Sequence, residues 1–170
     1  MPVKPAGAAR LPVGDLSTFP GNPRRGQVDA IAESLTANGQ YRPIVVNQGS
    51  LTGRPLEVLA GNHTLMAAVE LGWPEIDTWL VDVDGETAKR IVATDNRISD
   101  LGVYDDLALF KLLDSLEGLS GTGYSDKDLA ALSKLQDEPV PPDDFPTFDD
   151  EIKTDFRCPK CSYEWSGKQA

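Results

Sequence analysis

The stretch LEVLAGNHTLMAAVELGW at 56–73 constrains this chain more than any other. Residues 56–60 read as a buried strand, and a single glycine follows at once. Leu65, Met66, Ala68, Val69 and Leu71 then recur at helical spacing until Gly72, a natural left-handed stop. A strand that passes through one glycine into a helix leaves the first helical N–H groups without intrahelical acceptors. It also sets the positive end of the helix dipole at the end of the sheet. Gly61 admits close approach to the backbone and Asn62 reads as the N-cap, so the junction suits a phosphate. Thr64 and Asn62 add side-chain donors. His63, the sole histidine, is a candidate catalytic group as hydrogen-bond donor or proton acceptor. Glu57, on the strand before the glycine, is a second candidate base, although a solvated strand face is the better reading of its position.

The flanking pattern alternates strands with helices. Residues 11–18 read as a short strand, followed by the turn-rich FPGNPRRG. Val28, Ile31, Ala32 and Leu35 mark one helical face ended by Asn38-Gly39. RPIVVN at 42–47 is a buried strand that forms an antiparallel hairpin with 56–60, and 75–84 is a further strand. Helices are expected from about Glu86 into the Asp95–Arg97 region, over 105–117, and over 126–136 with Ser125 as N-cap. Arg24 and Arg25 follow a turn and read as solvated, and GLSGTGYS reads as a Gly-rich loop. This is an α+β chain with a small mixed sheet, helices on one side, and two trailing helices.

Composition matters for what the chain can bind. The net charge of −11 argues against a free-standing DNA binder. Residues 137–155 hold eight acids and one base, so much of that acidity belongs to a Pro-rich linker, and a basic pocket is permitted elsewhere. No apolar run approaches the roughly 18 residues of a membrane span, and no secretory signal is read. The cytoplasm is the default compartment, and no membrane partner is expected.

The ordered set NPRR, NGQYRPIVV, EVLAGNHTLMAAVELGW and ATDNRISDL resembles the ParB/sulfiredoxin superfamily over about residues 10–102. The resemblance implies a nucleotide-edge motif at 40–46 and a phosphate box at Gly61, Asn62, His63 and Thr64. Arg42 would shape the site, with Asp95, Asn96 and Arg97 close to a nucleotide or its Mg²⁺. By the same resemblance Arg24 and Arg25 could reach the site. ParB proteins usually carry arginines where His63 and Thr64 stand. Sulfiredoxins place their catalytic cysteine where Asn62 stands, so sulfinic acid reduction is excluded. No helix-turn-helix follows residue 102, which is closer to stand-alone ParB-like domains of phage genomes, acting in the host cytoplasm.

The only cysteines, Cys158 and Cys161, stand in CPKCSYEW, which excludes a disulfide framework. The motif resembles one knuckle of a rubredoxin-like zinc ribbon, which implies Zn²⁺. Two ligands are half of a structural zinc site. A second copy, a partner, or a relic without metal all remain open.

These readings divide the chain into 1–102, the ParB/sulfiredoxin-like domain; 103–136, a helical extension; 137–155, the linker; and 156–170, the half-knuckle. The expected function is a nucleotide-binding ParB-like protein using CTP or ATP with Mg²⁺, with weak NTPase or nuclease activity. It would act in a DNA transaction, beside DNA or a DNA-bound protein, as a homodimer. One alternative is a phosphotransferase, because the fold includes a kinase for free serine. The other is a non-catalytic adaptor docking through the acidic arm and the knuckle.

Overall fold

A computed structural model of the chain describes Val3 and residues 5–135 and 154–167. The acidic linker expected at 137–155 lies almost wholly outside them. Two compact units result, Met1–Asp137 and Glu138–Ala170. Among the described residues no helix is long and apolar enough to cross a membrane.

The first unit is built on five strands: β1 Pro5–Pro12, β2 Ser17–Thr18, β3 Ile44–Asn47, β4 Glu57–Ala60 and β5 Glu75–Val81. Its helices are α1 Val28–Asn38, α2 Asn62–Glu70, α3 Gly85–Leu101, α4 Asp106–Asp114 and α5 Asp126–Lys134. The sheet order is β1-β5-β3-β4-β2. β1 and β5 run antiparallel, β5 and β3 parallel, β3 and β4 antiparallel, and β4 and β2 parallel. The mixed α+β sheet and the β3–β4 hairpin follow the sequence reading.

Three local expectations need correction. The first strand begins at Pro5, where Ala-Gly-Ala-Ala gives little β propensity and pairing with β5 decides. Residues 13–15 of the expected strand form a 3₁₀ turn, leaving only Ser17–Thr18 extended. Helices also cover both faces rather than one. On the first face Ile44, Val46, Val58 and Ile76 pack with Leu35 of α1 and Leu65, Ala67 and Ala68 of α2. On the second, Leu59 and Val81 pack with Ala88 and Val92 of α3. Two covered faces explain why β3 reads as the continuous apolar run Ile-Val-Val instead of alternating.

Polar side chains close the sheet's ends. Asn47, fully buried, accepts from the Val83 N–H at 3.0 Å and donates to the Val83 carbonyl at 3.1 Å. Gln40 does the same for Asp77, accepting at 2.7 Å and donating at 2.8 Å. Its amide imitates one more residue of the β3–β5 pairing.

The second unit contains one hairpin, β6 Phe156–Arg157 and β7 Glu164–Trp165. Trp165 stacks on Phe156, with centroids 5.7 Å apart, and on Tyr163 at 6.2 Å.

Candidate functional site

The chain leaves β4 through Gly61, whose φ of 89° lies in the left-handed region. A Cβ there would sit 2.5 Å from Ile44 Cγ2, so only glycine fits. Gly61, not Asn62, is therefore the N-cap of α2, and no side chain caps this helix. The Leu65 N–H donates to the Gly61 carbonyl at 3.0 Å. The N–H groups of Asn62, His63 and Thr64 precede that bond and have no intrahelical acceptor.

The sequence reading has Asn62 offering its amide to a ligand. It is instead buried, accepting from the Phe19 N–H at 2.7 Å and donating to the Val58 carbonyl at 3.1 Å. Its work is to hold the 19–26 loop against the β4–α2 junction. His63 has a similar duty. Its Nε2 accepts from the Gly26 N–H at 2.8 Å, which assigns the ring proton to Nδ1. Gly26 lies flat against the ring, since a Cβ would fall 2.6 Å from His63 Cγ. The nitrogen best able to take a proton is thus already engaged.

The same loop is tied to α3. Arg24 donates to the Asn96 carbonyl and to Asp100 Oδ1, both at 3.0 Å. Asn22 Oδ1 accepts from Asn96 Nδ2 at 3.1 Å and from the Arg24 N–H at 3.2 Å. The loop read as a solvated turn is one wall of the site, and of the two readings of Arg24 the structure gives the one in which it reaches the site. Its NPRR setting is visible in the sequence, but its partners lie more than 70 residues away.

Cavities adjoin the α2 start on more than one side: one of about 460 Å³ lies between residues 18–25 and Asn62, His63 and Met66, and two others share Arg42 and Thr64. The larger of these two, about 410 Å³, runs from Arg24, His63 and Thr64 past Arg42 to Thr122 and Gly123. The smaller, of about 210 Å³, is lined by Gly61, Asn62, His63 and Thr64 with Arg24, Arg42, Asp95 and Asn96. Arg42 borders both. Its guanidinium has no hydrogen bond or ion pair among the described residues, so two cationic side chains and three open amides converge on one groove. Thr122 and Gly123 escape the sequence reading. The α4–α5 loop reaches the groove because Glu33 of α1 accepts from the Gly121 N–H at 2.9 Å and the Ser120 hydroxyl at 3.2 Å.

Two expected residues stand elsewhere. Glu57 is neither a solvated residue nor a neighbour of His63. Its side chain is 2% exposed and bound twice by Arg54, at 2.7 and 3.2 Å, on the α3 side of the sheet and outside both cavities. Arg97 is exposed and lines neither cavity. Gln40, in the expected nucleotide-edge motif, borders the larger cavity with its amide already committed to Asp77. Among the described residues no three His, Cys, Asp or Glu side chains gather as a metal cluster, and Asp95 is the one carboxylate lining either cavity.

In the hairpin unit the Cys158 N–H donates to the Tyr163 carbonyl at 2.8 Å, and the Ser162 N–H to the Cys158 carbonyl at 2.9 Å. The backbone N–H groups of Cys161 and Lys160 hold the Cys158 thiol below its usual range.

Residues 8–97 match the family model of the ParB N-terminal domain. A probable plasmid-partitioning protein ParB of Thermus thermophilus is 32% identical over 100 residues, covering 57% of this chain and 32% of that protein. The chain thus spans about a third of that curated relative's length. Among solved structures, the C-terminally truncated chromosome-partitioning protein ParB of Caulobacter crescentus, complexed with CTP-gamma-S, superimposes with a TM-score of 0.64 at 21% identity. That match covers 79% of this chain and 81% of the other.

Proposed function

Because the chain belongs to the ParB N-terminal domain family, we propose that its groove binds a nucleoside triphosphate, CTP before ATP, in a DNA-partitioning role. The observation that carries this reading is the open start of α2. Residues 62–64, whose amides have no intrahelical acceptor, line a groove bordered by Arg42, a guanidinium with no protein partner among the described residues. Unpaired backbone donors and a free guanidinium together match the oxygens of a polyphosphate. The larger cavity gives the base and sugar room beside Thr122 and Gly123, and the smaller gives the phosphates a seat. CTP is preferred because a ParB of the same fold is described with a CTP analogue.

In this scheme the protein mainly holds and orients. Arg42 and the Thr64 hydroxyl bind phosphate oxygens, and Arg24 fixes the loop that closes the seat. Asp95 borders the smaller cavity and would take one position of a Mg²⁺ ion. That ion would otherwise be held by phosphates and water, as is usual for Mg²⁺. The phosphotransferase alternative is disfavoured by geometry, since Glu57 is locked to Arg54 and His63 Nε2 to Gly26. Nuclease chemistry finds no cluster of carboxylates among the described residues of the groove.

Calorimetric titration of the 170-residue chain with CTP, ATP, GTP and UTP plus Mg²⁺ tests the proposal. Saturable binding of one triphosphate that weakens sharply in Arg42→Ala supports it. Failure of all four to bind, or binding indifferent to Arg42, rejects it.

A further inference from the structure

Cys158 and Cys161 lie in the second compact unit, Glu138–Ala170. The hairpin carrying them has strands of only two residues and a single aromatic stack, far short of an independent core. Motifs of this size usually need a metal or a partner to hold their shape. The turn itself is closed by the Cys158–Tyr163 and Ser162–Cys158 backbone bonds, with Ser162 at a φ of 61°. Those bonds close the chain tightly on itself at Cys158 and carry Cys161, three residues on, in the same turn. Two thiols at Cys-x-x-Cys spacing on one closed turn are a chelating pair for a soft divalent ion.

The pair is short of a complete site. Structural zinc takes four ligands in a tetrahedron. Among the described residues no other His, Cys, Asp or Glu joins the two cysteines in a group of three. The one histidine, His63, belongs to the other compact unit and is bound to Gly26. A two-fold axis supplies what is missing, because it turns two identical thiols into four.

We propose that Cys158 and Cys161 form half of a zinc site completed by the same two cysteines of a second copy of this chain. One ion then joins two hairpins. Binding is redox-neutral: four Zn–S bonds replace all of the ion's bonds to water, and four thiol protons pass to solvent. Cys158 is partly covered and Cys161 exposed, so neither thiol is buried.

The test uses the 170-residue chain, stripped of metal and kept reduced, titrated with Zn²⁺ or with Co²⁺ as a coloured substitute. The expected result is one metal retained per two chains in native mass spectra, with the Co²⁺ form showing the absorption of a tetrahedral four-thiolate site. Each chain holds two sulfurs of cysteine, so that spectrum requires two copies whatever the metal-free protein's mass. Cys161→Ser and Cys158→Ser should each abolish it, while CTP titration of the groove is unchanged. One metal bound per single chain, no metal retained, or a spectrum that survives either substitution would overturn the proposal.

Discussion

Helices α2 and α3 leave the same sheet, yet they begin in opposite ways. At the start of α3, Asp84 turns its carboxylate inward and accepts from the Thr87 N–H at 2.8 Å. That hydrogen bond also draws the Asp84 acid below its ordinary value. At the start of α2 a glycine stands in the equivalent place, and its φ of 89° keeps the chain in a shape that brings no side chain over the amides. Both helices carry the same positive end. One is neutralised from within, while the other is left facing a groove bordered by Arg24 and Arg42. A helix start therefore becomes a ligand seat when the sequence withholds the cap and then supplies cations around the gap.

The most severe way to break this contrast is Gly61→Ala. The new methyl meets Ile44 and must hold a positive φ, at a cost of about 2–4 kcal/mol. Urea denaturation should show that loss, and nucleotide binding should vanish with the displaced junction. Arg42→Ala separates seat from scaffold. With no partner for its guanidinium among the described residues, its denaturation midpoint should stay at the parent value. Its CTP affinity by calorimetry should fall by roughly 10–100-fold, or about 1.5–3 kcal/mol.

Gly26→Ala tests the loop wall. Pushing the His63 ring from its 2.6 Å neighbourhood should weaken CTP by about tenfold, through geometry rather than charge. At the capped helix, Asp84→Ala should lower thermal stability slightly and leave CTP binding untouched. Its sign with pH is fixed by the depressed acidity. The cap's contribution is complete above the ordinary aspartate value of 3.8 and is lost as pH falls below it through the folded-state value, so parent and variant should converge in acid. Thermal melts at neutral and acidic pH measure this.

How far the contrast is legible in the sequence differs from residue to residue. The glycine between strand and helix is visible, because a β-branched strand, one glycine and a helical period are local signals. The cap falls one residue away from its expected place, since asparagine is a favoured N-cap. Only the folded chain shows that the Phe19 N–H and the Val58 carbonyl claim the Asn62 side chain. The ties of Arg24 to α3 and the Ser120–Gly121 contact with Glu33 are hidden for the same reason, because partners more than 70 residues away leave no periodic trace. Glu57 reads like any strand acid until Arg54, three residues earlier, is seen folded over it. The two-sided core is written in Ile-Val-Val, but a short apolar run does not itself say which faces are covered.

Amide chemical shifts of ¹⁵N-labelled protein, followed while CTP and Mg²⁺ are added, put the central idea to the most direct test. The account predicts that the largest movements fall on His63 and Thr64 at the uncapped start of α2. The Glu86 and Thr87 amides at the capped start of α3 should stay where they were. Equal movement at both helix starts, or movement confined to residues away from the groove, would contradict it.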